Sequence, residues 1–424
     1  LLDDDASEAL NSKAEDAWPL VFTEWMVMPS KIQGVDPQFC SAMVSSMSGV
    51  KFLISSLFIT ERLWLYGHVP LPRALRSIVV QRLQQFECNG VELAVSVDRV
   101  DGAGATFPSN VYVQAIELFN VLTSSQLSYS PVGSGTGKAR LVAGQTLFAG
   151  SDSALSDADL NAVPTLVQLP SLAGAVAISY KIKMTSDAPA LVPTLVLSRS
   201  ALADIYRGAI TAWNHPQIEA LNPGLAPYLT NATICIHVVD FRSGTTGILT
   251  AALSTFSPAW AATIGETTYI DEWPAERPET GGCVVRHPTK TSLVNGMFAD
   301  PNAIGYSNLE RAQRLGVPLA SLVNRAGTTV EASAATVQSA IIDAQDRNAP
   351  NSRLPYVKPL ANGGSQLSWP ISGYTYFVMD CHAKSNCDKL RQAAKFYQWL
   401  VTSPDASVIA SSLGFAALPN VTTM

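Results

Sequence analysis

Charge is scarce in this chain. Only 15% of its 424 residues are Asp, Glu, Lys or Arg, and the balance is acidic, with a formal net charge of -6. A nucleic-acid binder needs a basic surface for phosphate-backbone contacts, so that class is excluded. Long apolar runs are missing too. VKFLISSLFI and AGAVAISY stop well short of the roughly 20 residues that cross a bilayer, so no transmembrane segment is expected. The opening LLDDDASEAL has no basic start, and any signal peptide is expected to have been removed. Histidine is sparse: His68, His215, His237, His287 and His382 show no metal-ligand spacing and read as surface or packing residues. Ser134 and Ser243 lack a nucleophile-elbow context. An enzyme is therefore not expected, nor a metal or cofactor.

What is present describes a well-packed protein. Apolar residues make up 47% of the chain, whose length suits two or three domains. Six cysteines are compatible with three disulfides in an oxidising compartment. Sequence proximity alone suggests Cys40–Cys88, Cys235–Cys283 and Cys381–Cys387. A zinc site in CHAKSNC is disfavoured, because two Cys and one His leave the shell incomplete. Sequons at Asn231 and Asn420 fit a secreted eukaryotic glycoprotein.

The chain repeats itself. WPLVFTEWMVM at 18–28 matches WPISGYTYFVM at 369–379, each with the alternation of a strand. KFLISSLF at 51–58 matches KFYQWLVT at 395–402, both amphipathic helical segments, and GHVPLP at 67–72 matches GFAALP at 414–419. Residues 1–90 thus read as the end of one module, preceding a nearly whole second one. After the first copy, RALRSIVVQRLQQFEC reads as a helix with Leu75, Ile78, Val79, Leu83 and Phe86 on one face. Within the second module strands alternate with helices, which implies an α/β architecture. NVYVQAIELFNVL and SRSALADIYRGAITAW read as helices, VAISYKI and ATICIHVVD as strands.

Three segments share one design, in which a strand ends, small Gly, Ser and Thr residues follow, and a helix begins. They are GAGATFPS (102–109), GSGTGKA (133–139) and FRSGTT (241–246). Each would offer backbone N–H groups and a hydroxyl at a helix N-terminus, where an anion is favoured. The second is not a nucleotide loop, since only three residues separate Gly133 from Gly137 and Ala139 follows Lys138. Lys138 is expected inside the helix, away from any ligand. In AGSDSALS, Asp152 stands among small residues. A carboxylate there accepts a hydrogen bond from protonated phosphate but repels ionised sulfate, which is selectivity by repulsion.

DGAGATFPSNVY, GSGTGKARLVAGQTLFAGSDSALS, LADIYRGAITAWNHPQIEALNPG, RSGTT and NAIGYSNLERA together resemble the periplasmic phosphate-binding proteins (PstS-like) of phosphate ABC transporters. The resemblance runs from about residue 98 to 424 and implies a two-lobed, type II periplasmic-binding-protein fold. It implies lobe 1 at 91–180 plus 366–424 and lobe 2 at 181–365, with 1–90 the C-terminal portion of a preceding copy. It also places inorganic phosphate on Thr106, Phe107, Ser134, Asp152, Ser243, Gly244 and Thr245. The family's third loop carries Arg four residues before the Ser matching Ser243, and Asp two before it. Val239 and Phe241 stand there, and the nearby Arg is the shifted Arg242, a further phosphate-binding candidate that either reaches the anion from its shifted position or points to solvent. Loss of the Arg removes a charge-assisted contact and leaves Asp152 without its expected partner. The implied function is an extracellular phosphate-binding module of a multi-module secreted protein, possessing no nucleic-acid partner. The alternative is a structural block of an extracellular assembly or filament with a vestigial pocket, self-associating through residues 1–90.

Overall fold

The computed structural model describes residues 31–35, 87–88, 91–92, 99–123, 125–189, 193–344, 360–380 and 387–418. The first-copy repeat segments at 18–28, 51–58 and 67–72 lie outside these residues, as do Cys40, Cys381 and Asn420. The chain divides into two compact units, Leu1–Lys51 with Leu71–Ser96, and Phe52–Pro70 with Val97–Met424.

In the first unit, strand β1 (Lys31–Ile32) runs parallel to β2 (Glu87–Cys88), which pairs antiparallel with β3 (Val91–Glu92). Glu87 and Cys88, expected to end a helix, are therefore strand. Asn89-Gly90 lies between them and Val91 in sequence, and that dipeptide is the favoured two-residue hairpin connection.

The second unit is built on nine strands. They are β4 (Val100–Gly104), β5 (Leu127–Pro131), β6 (Phe148–Ser151), β7 (Leu166–Tyr180), β9 (Cys235–Val239), β10 (Cys283–His287), β11 (Ala303–Asn308), β14 (Ser372–Asp380) and β15 (Phe415–Ala417). A small separate sheet joins β8 (Val196–Ser198), β12 (Ser321–Val323) and β13 (Thr329–Val330). The large sheet has the order β10-β9-β11-β7-β14-β6-β4-β5, with β15 also on β7. Its long member, β7, pairs with β14 through Leu166–Ala175 and with β11 through Val176–Tyr180. The sheet thus has two halves that share one strand. Around them pack helices that include α1 (Ser109–Thr123), α2 (Ser134–Val142), α3 (Asp157–Ala162), α4 (Arg199–Tyr206), α5 (Pro216–Glu219), α6 (Gly244–Phe256), α7 (Pro258–Thr263), α8 (Lys290–Ala299) and α9 (Leu309–Arg314).

The sequence pattern explains the halves. β4, β5 and β6 are parallel and joined by α1 and α2, while β9, β10 and β11 form a second parallel set. Parallel strands are covered on both faces, and β7, although antiparallel to β11, β14 and β15, is buried on both faces from Pro170 to Tyr180. Trp369, the Trp of WPISGYTYFVM, is buried and its indole N–H donates to Val176 O at 3.0 Å, anchoring β14 to β7. The helix expected over 198–213 stops at Tyr206. Gly208 has φ +74 and its N–H returns to Ile205 O at 2.9 Å, a glycine C-terminal turn that reverses the chain.

Cys235 and Cys283 are bonded, as expected from sequence, at the first paired positions of parallel β9 and β10 with a Cα–Cα distance of 4.5 Å. The bridge closes a sequence separation of 48 residues. Replacing both by Ala is expected to lower unfolding stability by about 2–4 kcal/mol in a thermal melt; an unchanged melt would show that the β9–β10 pairing holds without it.

Candidate functional site

Residues just beyond the carboxyl ends of β4 and β9 meet at Lys290, and those beyond β5 and β6 meet at Ser134 and Asp152, at the strand ends where open α/β sheets place ligands. At the first of these ends, Ala105 N–H donates to Gly150 O (2.8 Å) and Tyr129 O–H to Ala105 O (2.9 Å). This clamps the turn that presents Thr106. Phe107 is buried edge-on to Phe415, with centroids 5.2 Å apart, and its carbonyl accepts from Asn308 Nδ2 at 3.1 Å. Asn308 ends β11, so this bond ties the two halves of the sheet together.

After β5, Gly133 (φ 93) turns the chain into α2, whose first residue is Ser134 and whose start has no side-chain cap. The first-turn amides therefore have no helical acceptor. A Cβ on Gly137 would lie 2.3 Å from Gly104 Cα, so only glycine lets α2 rest on the end of β4. Lys138 lies within the helix and turns away, pairing with Asp159 at 2.9 Å and donating to Ala154 O at 3.2 Å.

After β9, Ser243 is the N-cap of α6, its Oγ accepting from Thr246 N–H at 3.4 Å. Thr246 and Tyr306 share a buried hydroxyl–hydroxyl bond of 2.6 Å. Arg242 is exposed beside this turn.

Asp152 follows β6 and is buried. Its Oδ1 accepts from Thr375 Oγ1 (2.8 Å) and its N–H donates to Ser134 Oγ (3.1 Å). Gly244 is pressed against it, since a Cβ there would sit 2.4 Å from Asp152 Cβ. Burial pushes the Asp152 carboxyl up to about 6, against the opposing pull of Lys290 and of hydrogen bonds from Thr375 and Ser134.

Lys290 opens α8, behind the capping box of Thr289 and Ser292. Its Nζ donates to Thr106 Oγ1 at 2.7 Å and to Thr245 Oγ1 at 2.9 Å. Burial brings its ammonium down to about 8, with Asp152 opposing the shift and Arg311 adding to it. One ammonium thus gathers a hydroxyl from the first loop, a hydroxyl from the third, and the charge of Asp152. Of the residues singled out from sequence, Thr106, Ser134, Asp152, Gly244 and Thr245 come together here, with Ser243 capping the adjoining helix. Lys290, Thr375 and Asn308 were not anticipated. Among the described residues no group of three His, Cys, Asp or Glu side chains could hold a metal ion. His237 and His287 instead pack on each other in the second half of the sheet, joined at 2.9 Å, with Asp300 3.1 Å from His237.

Residues 91–404 match the PBP superfamily domain. The chain belongs to the PBP superfamily. It is similar to the phosphate-binding protein PstS of Pasteurella multocida (strain Pm70), at 29% identity over 329 residues, covering 77% of this chain and 88% of that protein. A similar match, 27% over 310 residues, is to the phosphate-binding protein PstS of Methanocaldococcus jannaschii, covering 70% of this chain and 77% of that protein. Among solved structures, the ancestral soluble variant of the human phosphate binding protein shares the fold with a TM-score of 0.57 at 22% identity. That likeness covers 76% of this chain and 91% of that one. The two-lobed α/β architecture of the superfamily is therefore the fold of the described residues from 99 to 404. Among the described residues no helix is long and apolar enough to cross a membrane.

Proposed function

We propose that this superfamily member binds inorganic phosphate in the crevice between its two lobes, without chemical conversion. Residues 91–180 with 366–424 form the first lobe in this reading and 181–365 the second. One observation carries the reading: loops distant in sequence bring half-buried Thr106 and buried Ser134, Asp152 and Thr245 together, at the ends of β4 and β6 and the starts of α2 and α6. Neutral hydroxyls and helix-terminal amides replace the hydration shell of the anion, while ionised Asp152 accepts a hydrogen bond from its O–H and rejects sulfate. The likeness to PstS proteins supports phosphate over other oxyanions. Calorimetric titration of the full chain at pH 7 is expected to show saturable heat with phosphate and none with sulfate. No heat with phosphate at millimolar concentration sinks the proposal.

A second reading is favoured by a specific feature. The cavity bordered by Ser243, Thr245, Lys290, Leu293, Tyr306 and Ser307 measures about 10 Å³, on the order of one water. Between Thr106 and Thr245 an oxyanion fits only if the Lys290 ammonium moves off those two hydroxyls. If it does not move, Lys290 is a plug, the pocket is vestigial, and the fold serves as a block of an extracellular assembly. The disulfide and the internal repeat support a secreted, multi-module setting under either reading, with 1–90 available for contacts to neighbouring modules.

A further inference from the structure

Lys290 sits where its own helix disfavours it. It is the first residue of α8, and a cation at a helix N-terminus opposes the helix dipole. It is also half-buried, its ammonium bonded to the Thr106 and Thr245 hydroxyls while Asp152 acts on it through charge and not through a hydrogen bond. A residue that is neither good for its helix nor used in a direct salt bridge, and whose ammonium touches a hydroxyl from each lobe, has a site-directed placement.

We propose that Lys290 is the specificity-determining cation of this pocket, supplying from a fourth strand–turn–helix segment the positive charge that Val239 does not provide in the third. The proposal rests on the phosphate reading above and names the residue that makes it workable. On entry of the anion, the ammonium moves from Thr106 Oγ1 and Thr245 Oγ1 onto a phosphate oxygen, and the two hydroxyls donate to the same anion. No covalent bond changes. A lysine offers a point charge on a flexible stem where an arginine would give a planar two-pronged contact, so the replacement shifts both geometry and titration. The titratable and polar groups facing the ammonium are Asp152 after β6, Arg311 on α9 and the Tyr306 phenol on β11. Arg311 stays charged throughout, and burial pushes Tyr306 up to about 12. Among the protein groups facing the anion, the one that titrates near pH 8 is therefore Lys290; the second ionisation of phosphate is common to native protein and variants and cancels when their affinities are compared at each pH.

The test measures phosphate affinity of the full chain against pH for the native protein, Lys290→Met and Lys290→Arg, with melts recorded alongside to establish folding. Native protein is expected to lose affinity as pH rises through about 8. Lys290→Met is expected to bind about 100-fold more weakly at pH 7, the cost of one charge-assisted contact in a buried site. Lys290→Arg is expected to retain binding and to lose the alkaline fall, which a merely structural lysine would not cause. Equal or tighter binding by Lys290→Met overturns the proposal while leaving the phosphate site standing. An alkaline fall that persists in Lys290→Arg overturns it as well. Absence of phosphate binding by the native protein at every pH overturns the phosphate reading itself, and this proposal with it.

Discussion

Asp152→Asn is expected to weaken phosphate binding by roughly tenfold to a hundredfold at pH 7 and to let sulfate in. The native carboxylate, 7% exposed, accepts from Thr375 and presents its remaining face to the pocket beside Gly244. A protonated phosphate donates to that acceptor, whereas sulfate meets only repulsion. Asn keeps the shape but loses the charge, so the phosphate proton finds a weaker acceptor and sulfate finds an N–H donor. The same carboxyl sets the acid limb of binding. Pushed up to about 6, Asp152 becomes neutral as pH falls through that value, and phosphate affinity should fall with it. Stability has the opposite sign. A carboxyl whose folded value lies above its unfolded one adds stability below about pH 4, and that stability is lost as pH rises through about 6. In the ligand-free protein, the melting temperature should therefore decline across that window, and Asp152→Asn should flatten the decline. An unchanged anion preference, or an acid limb that survives the substitution, would remove Asp152 from the account.

Gly244→Ala carries the other large effect. The added methyl would lie 2.4 Å from Asp152 Cβ and 2.7 Å from Oδ2, far inside contact distance. Both atoms belong to a side chain whose carboxylate is held by Thr375 and Ser134, so the collision is relieved mainly by shifting α6 away from β6. That moves the Ser243 and Thr245 end of α6 off the ligand. Phosphate affinity should drop about 100-fold while the unfolding stability changes by no more than about 1–3 kcal/mol, the scale of a single overpacked methyl. Binding titrations and melts on the same preparation separate the two. Full affinity in this variant would mean that the lobes do not need this contact to close on the anion.

Much of this site could be read from the residues alone. The three loops were legible because strand, small hydroxyl residues and helix follow one another within a few positions, and Asp152 stood out as a carboxylate among Gly, Ser and Ala. The expectation for Lys138 held for the same local reason: at the fifth position of α2 it faces Asp159, not the crevice. Contacts that depend on distant pairing were not legible. Thr375 reaches Asp152 across 223 positions, and Asn308 reaches Phe107 across 201. Lys290 hid in HPTKTS, a fourth strand-to-helix turn without the glycines that marked the others; a lysine on a turn ordinarily points to water. The length of β7 was missed because Pro170 and small residues interrupt its pattern, while pairing to β14 and β11 on one side or the other holds it extended. The early end of α4 was missed because Gly208 falls inside an apolar helical spacing that continues through Trp213.

The central claim is that the anion displaces the Lys290 ammonium and takes its place among Thr106, Ser134, Asp152 and Thr245. A crystal structure of the full chain grown with phosphate tests it most directly. The account requires tetrahedral density between those four side chains, with Lys290 Nζ bonded to the anion and no longer to both hydroxyls. Lys290 still joined to Thr106 and Thr245 in saturating phosphate, with no tetrahedral density beside them, would contradict it.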